Sequence, residues 1–526
     1  MQHPTANNAF LYGVVFTGGM TTLAVELTAS RLLGSVFGTS NLVWANVIGL
    51  MLLYLTVGYF LGGRLADRRP HHSFLYQILI WAAFLSALIP LLSRPVLQTA
   101  ARAFADYEAA LALGSFVAVL VLFSIPVTLL GTVSPFAIRL AVKDVQNAGR
   151  ISGQIYAIGT IGSIVGTFLP VLFIIPELGT TRTFLFFAAI LYLVAFAGLW
   201  QHSRRRALVS LWMPTAIALL ASAVLPGYLR PPASGETVLF EAESAYNYIQ
   251  VVEDDAGFRY LYLNEGTGIH SQWHPEQIIY RRTWDLFLAA PYFTPDFQYQ
   301  DMESILIIGL AGGTIARQHI EVYGDVPIDG IEIDPIIIEA GARFFDMNAI
   351  EMPNLRTYAA DGRYGLNQLD RTYTVIGVDA YRPPYIPWHM TTIEFFQEIQ
   401  QKLTPDGVLV INVGRTSEDR RLVDALSATI GQLFPTLHAI DVPASFNTIL
   451  VATQQSSTQD DLQRNLQKLP VDASPVLRDT LQLALDHIVP VTPSDLIFTD
   501  DRAPVETLTD SIVLNFLLGG GVEELR

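Results

Sequence analysis

The sequence predicts a multi-pass α-helical membrane domain followed by a Rossmann-like α/β domain that is entered through a small β-unit. Three observations lead there. Apolar residues make up 51% of the 526 and charged residues only 15%, too little charge to clothe a wholly soluble surface. The charge is also divided. Up to Pro226 there are 13 Lys+Arg and 6 Asp+Glu, a net +7, whereas the remainder holds 19 basic and 42 acidic residues, a net −23. Finally, the second half alternates short apolar runs with helical stretches, and the runs end in glycine or an acid.

Residues 1–229 carry the membrane reading. A bilayer core of about 30 Å takes about 20 apolar residues in a helix. Seven stretches qualify, at roughly 10–35, 42–62, 74–93, 110–135, 151–175, 183–200 and 207–227. The first follows MQHPTANNAF, which has no basic n-region or small-residue cleavage site, so it reads as a retained span. Glycines recur in Tyr156-Ala-Ile-Gly-Thr-Ile-Gly-Ser-Ile-Val-Gly166, where they let helix backbones approach closely. Glu26 and Arg31 are charges in or near the first span; a carboxyl there is expensive and is expected to face the bundle interior. Three basic loops, at 63–69, 139–150 and 204–206, follow the second, fourth and sixth spans and so share one side, which the positive-inside rule makes cytoplasmic. Seven spans then put the C-terminal half outside, six would put it inside, and the sequence leaves that side open.

A Pro/Gly/Ser linker, Pro226-Gly-Tyr-Leu-Arg-Pro-Pro-Ala-Ser-Gly235, ends this region. Residues 236–300 read as a small β-hairpin domain and connecting helix. The latter part of Thr237–Glu253 alternates like a strand, Asp254-Asp-Ala-Gly257 is a hairpin turn, and Phe258–Leu263 returns as the partner.

Residues 301–526 form the main domain. Ser304-Ile-Leu-Ile-Ile-Gly309 is a strand buried on both faces, followed by the glycine-rich turn Gly309-Leu-Ala-Gly-Gly-Thr314 and a helix. Such a turn brings a ligand to the backbone and to helix-start N–H groups. About 20 residues on, Pro327-Ile-Asp-Gly-Ile-Glu-Ile-Asp334 ends in acids, and Glu332 is the candidate to accept both ribose hydroxyls. Asp334-Pro335 fits a helix cap. The third strand closes on Tyr358-Ala-Ala-Asp-Gly-Arg363, where Asp361, with Gly362 beside it, can meet an adenine amino group. The fourth, Tyr373-Thr-Val-Ile-Gly-Val-Asp379, places Asp379 at the crevice where open α/β sheets bind ligands. A glycine turn and three strand-end acids in register point to a nucleoside site.

On these residues the chain resembles the spermidine synthase (polyamine aminopropyltransferase) family, from about Glu241 to about Thr453. The GRLADR loop and Thr499-Asp-Asp-Arg-Ala-Pro-Val-Glu506 resemble its bacterial membrane-fused members. The resemblance implies a class I methyltransferase-type fold and a co-substrate that is decarboxylated S-adenosylmethionine or S-adenosylmethionine. It also implies aminopropyl transfer to a polyamine, and a homo-oligomer or membrane complex in a cell membrane. It assigns Gly309 and Gly313 to the nucleoside loop, Glu332 to the ribose, Asp361 to the adenine side and Asp379 to catalysis. Gln272 and Tyr280 lie in the segment that supplies substrate contacts in the family. Two positions depart from it: Gly312 and Arg382 stand where the family carries acids for the cationic end of its substrates, and Asp500, Asp501 or Glu506 are candidates to replace that charge.

The other readings follow from what is missing. With no cysteine, disulfides and thiolate chemistry are excluded. No metal site is expected: His270 and His274 have helical spacing but no third ligand nearby. The acidic second half argues against nucleic acid as a partner. The expected partners are the lipid bilayer, a nucleoside and a polyamine. A methyltransferase acting on another acceptor, and a catalytically inactive membrane scaffold or transport component, are the competing readings.

Overall fold

The computed structural model describes residues 4–37, 41–103, 108–224, 228, 230–264, 266, 268–381 and 385–518. Two compact units divide the chain: Met1–Pro231 with Glu243–Ala245, and Pro232–Ala242 with Tyr246–Arg526.

The first unit is helical. Its helices run Pro4–Phe37, Asn41–Arg68, His72–Ala103, Glu108–Gly131 continuing as Val133–Ala141, Ala148–Leu169, Ile175–His202, Arg204–Ser210 and Trp212–Val224. Six of its helical segments are long and apolar enough to cross a membrane. Seven spans were expected, and the difference lies in one element. Val145–His202 is a single 58-residue segment, about 87 Å at 1.5 Å per residue, nearly three times a bilayer core. It passes through a π-turn at Pro170–Ile174, where Pro170 has no N–H to give, and is interrupted at Gly179, whose φ of 78° breaks the helix. The expected spans 151–175 and 183–200 lie on either side of that break.

Glycine sets the packing inside this unit. A Cβ on Gly162 would collide with the carbonyl oxygen of Phe16, one on Gly166 with that of Met20, and one on Gly19 with that of Gly159. Helices 4–37 and 148–169 therefore meet backbone to backbone, which only glycine allows. Ser163 Oγ adds a hydrogen bond to the Gly19 carbonyl at 3.2 Å. Leu52, Phe60, Val121, Ile125, Phe168 and Leu193 point outward and are exposed. Apolar residues outside and small ones between helices are compatible with a lipid surround. Glu26 is half-buried on the first helix.

The second unit begins with a four-stranded sheet in the order β1-β2-β3-β4: β1 Glu236–Glu243, β2 Tyr248–Asp254, β3 Arg259–Leu263 and β4 Ile269–Trp273. β2 and β3 are the expected hairpin, closed by Asp254 N–H to the Phe258 carbonyl at 3.0 Å and by Gly257 at φ 87°. Ile249, Val251, Leu261 and Trp273 on one face pack against Ile337, Ala340 and Phe345.

The main sheet has eight strands: β5 Ile305–Ile308, β6 Ile328–Glu332, β7 Leu355–Ala359, β8 Tyr373–Val378, β9 Leu403–Gly414, β10 Thr436–Asp441, β11 Asn447–Thr453 and β12 Ile488–Val489, in the order β12-β10-β11-β9-β8-β5-β6-β7. β5 to β9 are mutually parallel, and β11, β10 and β12 turn antiparallel. Alternate residues feed two cores. Ile305, Ile307, Val375, Val408 and Val410 pack under the 3₁₀ helix Thr283–Phe293 and the helices at 459–468 and 475–486. Leu306, Ile308, Ile376, Leu409 and Ile411 pack under the helices at 362–368, 393–402 and 421–430. Burial on both faces explains the continuous apolar runs. The strand order reverses between β5 and β8, and their carboxyl ends open the crevice where this fold class holds ligands.

Candidate functional site

Gly309 joins β5 to its turn at φ 89°, and a Cβ on it would lie 2.5 Å from the Asp379 carbonyl oxygen and 2.7 Å from Ala380 N. The ends of β5 and β8 are thus packed together at the point of reversal, and glycine is required on both conformational and steric grounds. Ala311 is left-handed too, at φ 48°, and its N–H donates to Glu332 Oε2 at 3.0 Å. Gly313, φ 83°, opens the helix Thr314–Tyr323.

Glu332 ends β6 with both carboxylate oxygens accepting: Oε2 from Ala311, Oε1 from the Asp334 N–H at 3.1 Å. Burial pushes its pKa up to about 7 against these two donors. Asp334 is fully buried and caps the helix Pro335–Phe344 through the Ile336 N–H, with Asn247 donating to its other oxygen at 3.0 Å. It is a structural residue, as the Asp-Pro pair suggested.

Asp361 caps the helix Gly362–Gln368, accepting from Arg363 N–H and Tyr364 N–H on one oxygen, while His389 Nε2 lies 2.9 Å from the other. Gly362 has no room for a side chain: a Cβ would meet Ile308 Cγ2 at 2.5 Å and Met390 Sδ at 2.7 Å. This pins the start of that helix to the end of β5.

Asp379 follows β8 and is half-buried. Burial raises its pKa to about 6, opposed by donors from Asn412 and Trp284. Asn412 Nδ2 donates to Asp379 Oδ1 at 2.9 Å. Sequence reasoning missed Asn412; its one signal was an amide inside the apolar run Gly407-Val-Leu-Val-Ile-Asn-Val. Tyr381, two residues on, is held neutral by burial and by the neighbouring Asp379 charge.

The structure therefore gathers Gly309, Gly313, Glu332, Asp361, Gly362 and Asp379 at the carboxyl ends of four adjacent strands. The weaker candidates separate. Gln272 sits beside the Gly309–Gly313 turn, its N–H donating to Thr314 Oγ1 at 3.1 Å, and its side-chain oxygen is buried without a partner among the described residues. Tyr280 stacks edge-on against Trp284, ring centres 6.3 Å apart. Asp500 pairs with Arg363 at 2.7 Å and accepts from Thr392 at 2.7 Å, so its charge is already engaged, and its pKa is lowered by Arg363. Asp501 is exposed. At Gly312 the space for a side chain is tight: the N–H donates to Ser271 Oγ at 2.7 Å, and a Cβ would stand 3.0 Å from Ser271 Cβ and 3.1 Å from Phe345 Cγ. Arg382 lies outside the described residues. Among the described residues, no group of three His, Asp or Glu side chains could hold a metal ion.

Residues 293–461 match the model of the spermine/spermidine synthase domain. The polyamine aminopropyltransferase of Vibrio vulnificus is 30% identical over 262 residues, 48% of this chain and 84% of that one. The chain belongs to the polyamine aminopropyltransferase family. Another member, the probable polyamine aminopropyl transferase of Bifidobacterium longum, is 32% identical over 284 residues, 51% of this chain and 61% of its own length. A probable spermidine synthase from Corynebacterium glutamicum aligns in structure with a TM-score of 0.38 and 19% identity, over 48% of this chain and 95% of that one. These aminopropyltransferase matches fall on about half of the chain.

Proposed function

We propose that the second unit binds an S-adenosylmethionine-type nucleoside and transfers an aminopropyl group from its decarboxylated form to a polyamine. The single observation that carries this is Asp379: a carboxylate at the strand-order reversal, packed on the Gly309 turn, oriented by Asn412 and with a pKa of about 6. In this reading the Gly309–Gly313 turn receives the nucleoside, Glu332 accepts from the ribose hydroxyls, and Asp361 faces the adenine side. An amine nitrogen attacks the aminopropyl carbon attached to the sulfonium. The new C–N bond forms as the C–S bond breaks, and the thioether nucleoside leaves with the electron pair. Asp379, ionised at neutral pH, accepts the proton that the amine nitrogen sheds. Alignment of the two reactants supplies much of the remaining rate. Gln272, with its unpartnered oxygen, is a candidate acceptor for an ammonium group.

We further infer that the first unit spans a cell membrane, with Val145–His202 crossing twice about Gly179. This gives seven crossings and puts the C-terminus opposite the basic loops.

A second reading has one observation in its favour. Ser271 and Phe345 crowd Gly312, and Asp500 is committed to Arg363, so neither supplies a free charge for a cationic acceptor. S-adenosylmethionine-dependent transfer to a less basic acceptor fits that arrangement.

Titration of the purified chain with decarboxylated S-adenosylmethionine, S-adenosylmethionine and methylthioadenosine, followed by product analysis with putrescine, separates the two. Aminopropylated product supports the first reading. Binding of S-adenosylmethionine without such product supports the second, and no binding of any of the three defeats both.

A further inference from the structure

We propose that Asn412 is a positioning residue for Asp379, held in its donating orientation by a side-chain relay from Ser445 through Asn447; the inference rests on reading Asp379 as the proton acceptor. The relay is continuous. Ser445 Oγ donates to Asn447 Oδ1 at 2.7 Å, Asn447 Nδ2 donates to Asn412 Oδ1 at 2.9 Å, and Asn412 Nδ2 donates to Asp379 Oδ1 at 2.9 Å. An amide alone can flip and offer either its oxygen or its nitrogen. Here the ionised carboxylate accepts from the Asn412 NH₂ end, and the donor from Asn447 on the Asn412 oxygen supports that orientation. Each bond polarises the next in the same direction, toward the ionised form of Asp379.

The sheet builds this. Ile449 is the register partner of Asn412 in the antiparallel β9–β11 pair, so Asn447 is its diagonal neighbour on the same face. Asn412 shares that face with Val408 and Val410, which lie under the 3₁₀ helix that also carries Trp284. Two neutral donors from two elements thus converge on one carboxylate. Asn412 is 6% exposed, so its amide is held inside the sheet layer. The titratable neighbour of Asp379 among the described residues is Tyr381, from its own loop; Asn412 and Trp284 carry no charge. Ala444, at φ 51°, shapes the turn that presents Ser445.

The test reads the carboxyl directly in the full-length protein in detergent. Carbodiimide with glycine ethyl ester modifies protonated carboxyls, and the peptide carrying Asp379 is quantified by mass spectrometry from pH 5 to pH 8. Loss of a donor to the ionised form raises a carboxyl pKa. Asn412→Leu is therefore expected to move the labelling midpoint up by about one unit or more, close to tenfold in labelling near neutrality. Asn447→Ala, a milder change at a half-buried position, shifts it the same way by less. Midpoints unchanged from wild type in both variants overturn the proposal. Where wild type transfers an aminopropyl group, the acid limb of the kcat profile moves with the midpoint while nucleoside KM stays constant. Shifted midpoints in a protein without transferase activity uphold the relay and refute the aminopropyl reading.

Discussion

Glu332 yields a stability prediction that can be read as the difference between two curves. Its carboxyl titrates near 4.5 in an unfolded chain and near 7 in the folded one, because burial disfavours the charge. Below pH 4.5 both states are protonated and the group contributes nothing. As pH rises the unfolded chain ionises first, so the folded state loses stability, and the loss levels off once the folded group ionises near pH 7. A shift of about 2.5 units corresponds to about 3 kcal/mol. Glu332→Gln removes the titration. Glutamine offers one acceptor oxygen to the two N–H groups of Ala311 and Asp334, a cost of about 1–3 kcal/mol, but that offset is the same at every pH. Denaturant unfolding of the second unit in the full-length protein, followed by intrinsic fluorescence at pH 4.5, 6, 7 and 8, gives both curves. The gap between them is expected to move by about 3 kcal/mol toward the variant between pH 4.5 and 8. Saturating nucleoside should shrink that movement, since ribose hydroxyls donate to the charged form. Parallel curves for the two proteins would refute the argument that Glu332 is buried at a cost.

Asp379→Asn is expected to lower turnover by at least a hundredfold while calorimetry shows nucleoside affinity within a few-fold of wild type; retained turnover removes Asp379 from the chemistry. Gly309→Ala places a side chain at φ 89° against the Asp379 carbonyl, and the left-handed strain alone costs about 1–2 kcal/mol. Its unfolding midpoint and nucleoside affinity should fall together. Gly162→Leu forces apart the helices 4–37 and 148–169, at about 1–3 kcal/mol, and should reduce the thermal midpoint of the detergent-solubilised first unit without touching nucleoside binding. A reporter at the C-terminus should read as extracytoplasmic if Val145–His202 crosses twice; a cytoplasmic signal means an even number of crossings.

The strand-end acids and the glycine turn were legible because each sits at the end of a local pattern, an apolar run followed by a residue that cannot continue it. The same locality made Asp334-Pro335 readable as a cap, confirmed by the Ile336 N–H on its carboxylate. What was not legible depends on pairing across the sheet. The bond between Asn412 and Asn447 exists because β9 and β11 run antiparallel in one register, and no spacing within either strand announces it. Asp500 was a candidate for substrate contact, yet it is paired with Arg363, 137 residues earlier. The helix boundaries of the first unit were close, but the sequence pattern did not show that two expected spans form one segment interrupted at Gly179.

The crowding at Gly312 bears on how this site could be altered. An acid at that position would need room that its neighbours now occupy. Its Cβ would stand 3.0–3.1 Å from the side chains of Ser271 and Phe345, so one of them must give by a few tenths of an ångström. Among the described residues Ser271 Oγ also accepts from the Gly312 N–H, so a shift of Ser271 disturbs that bond. The two positions are 41 residues apart in sequence but touch in space, so the effect of a substitution at either depends on the residue at the other.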